Sequence, residues 1–127
     1  MGKKILIVDD DSEQIDFAST VLEENGYISI SATNGIEGMG KVKSEKPDLI
    51  LLDILMPEKS GITMFRELRT NEETKNIPVI IVTGVSKGER FEERIMGQES
   101  SIPAPEGYIQ KPMKPWVILK LVNGLLS

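Results

Sequence analysis

The chain of 127 residues is 39% hydrophobic and 28% charged, which is room for one ordinary globular domain, expected to span 1–127 with no output domain. With no cysteine and no histidine, it has no thiolate nucleophile, no disulfide, no zinc–thiolate site and no imidazole to carry a phosphoryl group. Its net charge of −5 argues against direct nucleic-acid binding, which needs a clustered basic surface.

Short apolar runs alternate with stretches of helical period, the pattern of a parallel sheet wrapped by helices. The first strand, Lys4 to Val8, ends at Asp9-Asp10-Asp11. Ser12 is then the expected N-cap of a helix carrying Ile15, Ala18 and Leu22 on one face and ending near Asn25-Gly26. Tyr27 to Ala32 reads as a second strand. The helix over Ile36 to Glu45 contains Gly38 and Gly40, each costing about 1 kcal/mol against alanine. Leu49 to Leu52 is a strand buried on both faces, followed by a loop bracketed by Pro57 and Gly61.

A third helix places Ile62, Phe65 and Leu68 inward, and Val79 to Val82 forms the fourth strand. Tyr108 to Gln110 is a short fifth strand closed by Pro112, and Pro115 opens a last helix to about Leu126. The expected fold is an open doubly wound α/β sheet of five parallel strands with helices on both faces. The apolar run after Met-Gly-Lys-Lys is too short for a signal peptide, and Asp53 interrupts the longest apolar segment. A cytoplasmic domain with no membrane contact is expected.

Ligands of such sheets collect outside the carboxyl ends of the strands. Those ends carry Asp9, Asp10 and Asp11, then Asp53, Thr83 and Lys111. Convergent carboxylates repel one another and favour a divalent cation, and oxygen-only ligands point to a hard ion such as Mg²⁺. Lys111 offers a point charge, and Thr83 a hydroxyl donor, for a phosphoryl oxygen. Each residue also has a plainer reading. Asp11 reads as a solvated turn residue, Thr83 as a strand-end residue, Lys111-Pro112 as a loop and Tyr108 as strand packing. Asp53 is harder to explain away, because an unpaired charge among leucines and isoleucines is expensive.

The segments Ile5-Leu6-Ile7-Val8-Asp9-Asp10-Asp11, Asp53-Ile54-Leu55-Met56-Pro57, Gly61, Thr83-Gly84 and Lys111-Pro112, in that order, resemble the signature of response-regulator receiver domains. The resemblance covers nearly the whole chain and implies a flavodoxin-like fold. It implies a phosphoacceptor module of a two-component or phosphorelay pathway, not a turnover enzyme. Asp53 would take the phosphoryl group from a phosphohistidine on a sensor histidine kinase or a histidine phosphotransfer protein. Asp10, Asp53 and the main-chain carbonyl of Leu55 would hold Mg²⁺, with Asp9 acting partly through water. Thr83 and Lys111 would bind phosphoryl oxygens, Thr83 and Tyr108 would form a switch, and the bond before Pro112 would be cis. A downstream protein would read the result.

Two alternatives compete. A receiver-like interaction module working without phosphorylation sits poorly with a complete acidic site. An aspartate-nucleophile phosphatase needs a second carboxylate two residues after Asp53, where Leu55 stands. No GxxxxGK[ST] phosphate loop is present.

The chain departs from the family between Val85 and Gly107. Pro103 and Pro105 forbid regular helix, and Lys87 to Met96 offers only Phe91, Ile95 and Met96 as an apolar stripe. An atypical fourth helix is therefore expected. The resemblance implies that the positions two after Asp53 and Thr83 govern whether a water can line up on the phosphoryl group. Leu55 and Val85 there cannot hydrogen-bond one, so slow self-dephosphorylation is expected. The last helix has apolar residues all round. Trp116 either packs over the loop after strand five or joins a homodimer interface with Val117, Leu119 and Leu126.

Overall fold

The computed structural model describes residues 2–54, 61–84 and 102–126. Their strands are β1 (Lys4–Val8), β2 (Ile28–Ala32), β3 (Leu49–Asp53), β4 (Val79–Thr83) and β5 (Gly107–Gln110). The described helices are α1 (Ser12–Glu23), α2 (Gly35–Glu45), α3 (Gly61–Thr70) and α4 (Pro115–Leu126). All neighbouring strands pair in parallel, in the order β2-β1-β3-β4-β5. The strand order reverses between β1 and β3, so their carboxyl ends flank the crevice where such sheets bind ligands.

Two apolar layers cover the sheet, as the period of two along each strand requires. On one face Leu6, Val8, Ile50, Leu52 and Ile81 pack with Val42 of α2 and Met64, Phe65 and Leu68 of α3. On the other, Ile5, Ile7, Leu51, Ile80 and Val82 pack with Ile15, Ala18 and Leu22 of α1 and Ile118 and Val122 of α4. Every residue of β3 and β4 is buried, including the polar residues that end them, Asp53 and Thr83. No helix among the described residues is long and apolar enough to cross a membrane.

Local chemistry sets the helix ends. Asp11, not Ser12, caps α1: its Oδ1 accepts from the Glu13 amide at 2.9 Å. The earlier cap wins because a carboxylate is also favoured by the helix dipole. After α1 the chain turns at Gly26 with φ +88°, a left-handed conformation that costs glycine little. Asn34 caps α2 through the Glu37 amide, while Glu37 reaches back to the amide and hydroxyl of Thr33. Those bonds hold the Glu37 carboxyl below its ordinary pKa.

The two glycines of α2 differ. A Cβ at Gly38 would lie 2.9 Å from Met64 Sδ, so the missing side chain lets α2 approach α3, whereas Gly40 faces open space. α4 is also better covered than its composition suggests. Val117, Leu119, Leu121, Leu125 and Leu126 are partly buried against the α1–α4 layer, and Trp116 alone among its large apolar residues is 64% exposed. Trp116 and Val117 border a shallow depression of about 250 Å³ beside Tyr108, Gln110 and Pro112. The expected helix Lys87 to Met96 lies outside the described residues.

Candidate metal and phosphoryl site

The parallel sheet delivers the polar residues to one edge. Asp9 and Asp10 follow β1, Asp53 ends β3, Thr83 ends β4, and Lys111 follows β5. Backbone hydrogen bonds beyond the strands fix this edge. The Asp9 amide donates to Ala32 O at 3.1 Å, that of Ile54 to Val82 O at 3.3 Å, and that of Lys111 to Thr83 O at 2.8 Å. The peptide between Lys111 and Pro112 is cis.

Asp9 and Asp53 are each only 3% exposed. Lys111 Nζ lies 3.2 Å from Asp9 Oδ2 and 3.3 Å from Asp53 Oδ2, so one ammonium serves two buried carboxylates. Burial works against the charged lysine, but Asp53 and Asp9 outweigh it and hold its pKa above the ordinary value. Asp9 Oδ1 also accepts from the Asp11 amide at 2.9 Å. Asp10 is exposed, yet carboxylate oxygens of Asp9, Asp10 and Asp53 all lie within 4.8 Å of one another. Among the described residues, three carboxylates thus gather and Lys111 pairs with two of them. The excess negative charge and the all-oxygen donor set fit a hard divalent cation.

Thr83, two residues beyond Ile81, shares the sheet face that packs on α2 and α3. Tyr108 is half-buried against that same layer, paired in register with Ile81. Asp11 is exposed and serves as the α1 cap. The Leu55 carbonyl lies outside the described residues, as do both side chains, Leu55 and Val85, on which slow dephosphorylation was expected to depend.

A second buried charge was not anticipated from the sequence. Arg69, 4% exposed, sits at the far end of α3 with its guanidinium 5.0 Å from the centre of the Phe65 ring. Its Nε donates to Pro103 O at 3.3 Å, Nη1 to Lys75 O at 3.2 Å and Ile77 O at 2.9 Å, and Nη2 to Ala104 O at 3.1 Å. The remaining Nη2 donor meets Glu106 Oε1, which also accepts from the Val79 amide at 2.8 Å. All five N–H donors of the guanidinium are therefore used. One signal could have found it: Arg69 is four residues after Phe65, on the stripe of α3 that holds Met64, Phe65 and Leu68.

Residues 5–123 match the family model of the response regulator receiver domain. PilH of Pseudomonas aeruginosa is 34% identical over 124 residues, covering 98% of each chain. The alkaline phosphatase synthesis transcriptional regulatory protein PhoP of Bacillus subtilis is also 34% identical, but the match spans 49% of its length. The chain thus equals nearly all of some relatives and about half of others. Among solved structures, the chemotaxis response regulator CheY4 of Vibrio cholerae superimposes with a TM-score of 0.84 at 26% identity, covering 99% of this chain and all of that one.

Proposed function

The chain belongs to the response regulator receiver domain family, and on that premise we propose that Asp53 accepts a phosphoryl group from a phosphohistidine on a partner protein. Receiver domains act as phosphoacceptor signalling modules and interact with histidine kinases or phosphotransfer proteins. This chain has no histidine, so the donor imidazole comes from a sensor kinase or a phosphotransfer protein. The reading places it in the cytoplasm.

One observation carries this reading: Asp53 is buried, pairs with the same Lys111 ammonium as Asp9, and has a carboxylate oxygen within 4.8 Å of one of Asp10. Carboxylates gathered this closely repel one another, and a divalent cation relieves that repulsion. Asp10 and Asp53, with the Leu55 carbonyl and with Asp9 partly through water, would hold Mg²⁺. When bound, that ion neutralises charge on the transferring phosphoryl group.

An Asp53 carboxylate oxygen attacks phosphorus in line. The new P–O bond forms as the P–N bond to imidazole breaks, and the departing imidazole takes its proton from solvent. Lys111, already within 3.3 Å of Asp53 Oδ2, exchanges that contact for a phosphoryl oxygen. The Thr83 hydroxyl donates to another. This movement of Thr83 turns Tyr108, which shares its sheet face, and a downstream protein reads the change. The domain promotes its own phosphorylation and a slow dephosphorylation. Homodimerisation through α4 would centre on Trp116; a monomer in sedimentation across concentrations, with and without a phosphoryl analogue, overturns it.

Phosphoramidate, a small donor with the same P–N bond as phosphohistidine, tests the reaction. Intact mass should rise by one phosphoryl group with Mg²⁺ present and not after chelation. Asp53→Ala should gain nothing. A wild type that gains no phosphoryl group favours an interaction module that works without phosphorylation.

A further inference from the structure

α3 begins at Gly61, directly against the peptide that joins Asp53 to Ile54. A Cβ built at Gly61 would lie 2.1 Å from Asp53 O, 2.5 Å from Ile54 Cα and 2.9 Å from Asp53 C. These are backbone atoms and cannot rotate aside. The same peptide is held from the opposite side, because the Ile54 amide donates to Val82 O at 3.3 Å and Asp53 pairs with Val82 in register. It therefore lies between β4 and the first residue of α3, and position 61 sets how far it can approach the helix.

We propose that Gly61 is a positioning residue for Asp53: the absent side chain lets α3 close on the Asp53–Ile54 peptide and so fixes the carboxylate against Asp9 and Lys111. The inference rests on reading Asp53 as the phosphoacceptor. At an ordinary helical position alanine is preferred to glycine. Here that preference is reversed, since any side chain must displace either α3 or the peptide carrying Asp53. A displacement of the peptide moves the carboxylate relative to Lys111 Nζ, now 3.3 Å away, and relative to the oxygens of Asp9 and Asp10. Misplacement of a reacting group by about 1 Å can cost on the order of 10²-fold in rate.

Gly38 provides the control. A Cβ there also meets neighbours, Met64 Sδ at 2.9 Å, Met64 Cε at 3.0 Å and Val8 Cγ2 at 3.3 Å, but all are side-chain atoms and none belongs to the peptide carrying Asp53. Gly61→Ala and Gly38→Ala are made in a Gly40→Ala/Gly124→Ala background, where each added methyl faces open space beyond its own helix. Phosphorylation by acetyl phosphate is followed by intact mass at saturating Mg²⁺, and Mg²⁺ affinity is measured by calorimetry on protein shown to be folded by circular dichroism.

Gly61→Ala is expected to slow transfer at saturating donor by about 10²-fold and to weaken Mg²⁺ binding, while Gly38→Ala loses stability and keeps both. A folded Gly61→Ala protein with transfer rate and Mg²⁺ affinity unchanged overturns the inference. So does a Gly61→Ala protein that stays unfolded at low temperature in the stabilised background, because the residue then serves the fold and not the site. A parent protein that takes no phosphoryl group at all removes the premise, and that outcome is read before either variant is compared.

Discussion

Two buried clusters of charge sit at opposite ends of the same sheet, and they are built on opposite accounting. At the amino ends, Arg69 spends every donor on carbonyls and on one carboxylate, and the Glu106 oxygen it meets also holds the Val79 amide. At the carboxyl ends, three aspartates gather, and Lys111 pairs with two of them, Asp9 and Asp53. The first cluster is closed: there is no unspent charge or donor on the guanidinium for a ligand to use. It ties residues 103–106 to the end of α3 and the start of β4. Among the described residues the second holds more carboxylates than ammonium groups, and on the proposed reading that residual charge is what a cation acts upon. Burial alone does not mark a functional charge; lack of balance does.

That contrast fails if breaking the closed cluster does not cost stability. Arg69→Leu removes the guanidinium donors from four carbonyls and from the exposed Glu106, and leaving buried acceptors unsatisfied costs about 1–3 kcal/mol. Urea unfolding should show that loss, while the folded fraction should still be phosphorylated at the parent rate. A loss below about 1 kcal/mol, the range of exposed pairs, would mean the cluster holds nothing together.

The open cluster should respond to the ion that the closed one ignores. A ligand at a hundred times its dissociation constant stabilises by about 2.7 kcal/mol. Mg²⁺ at that excess should raise the unfolding midpoint of the parent protein, chelation should reverse the gain, and Asp10→Asn should reduce it. Arg69→Leu should keep the full Mg²⁺ increment, because the two ends are independent. Equal stabilisation of the parent and Asp10→Asn would place the ion elsewhere. The smallest effect belongs to neither cluster. Gly40→Ala and Gly124→Ala fill open space on helices and should each stabilise by about 1 kcal/mol, read as a higher midpoint with transfer unchanged.

The alternation of apolar runs and helical periods gave the five strands, their order of appearance and their ends to within a residue or two. Period and burial are local properties, so one sequence carries them. The carboxyl-edge residues were legible for the same reason: in a parallel sheet every strand end points to one edge, so Asp9, Asp10, Asp53, Thr83 and Lys111 needed only correct strand assignments to be brought together.

What escaped was non-local. Arg69 is recognised by carbonyls of residues 75, 77, 103 and 104, and main-chain acceptors leave no mark in a sequence. The glycines were misread in a related way. Gly38 looked like a weakness of α2 and is the point where α2 meets Met64, while Gly61 looked like a loop bracket and abuts the peptide of Asp53. Propensity measures what a residue costs its own helix, and these two are set by a neighbour. α4 misled in the other direction, since its residues beyond one face are largely packed and only Trp116 stands well exposed.

The central claim is that the unbalanced carboxyl edge makes Asp53 a phosphoacceptor. It is tested most directly by incubating the domain with acetyl phosphate and Mg²⁺, trapping acyl phosphates with borohydride and mapping the peptides. The expected result is a single modified residue, Asp53, with no modification in Asp53→Ala or after chelation. Modification spread over surface carboxylates, or none at Asp53, would contradict it.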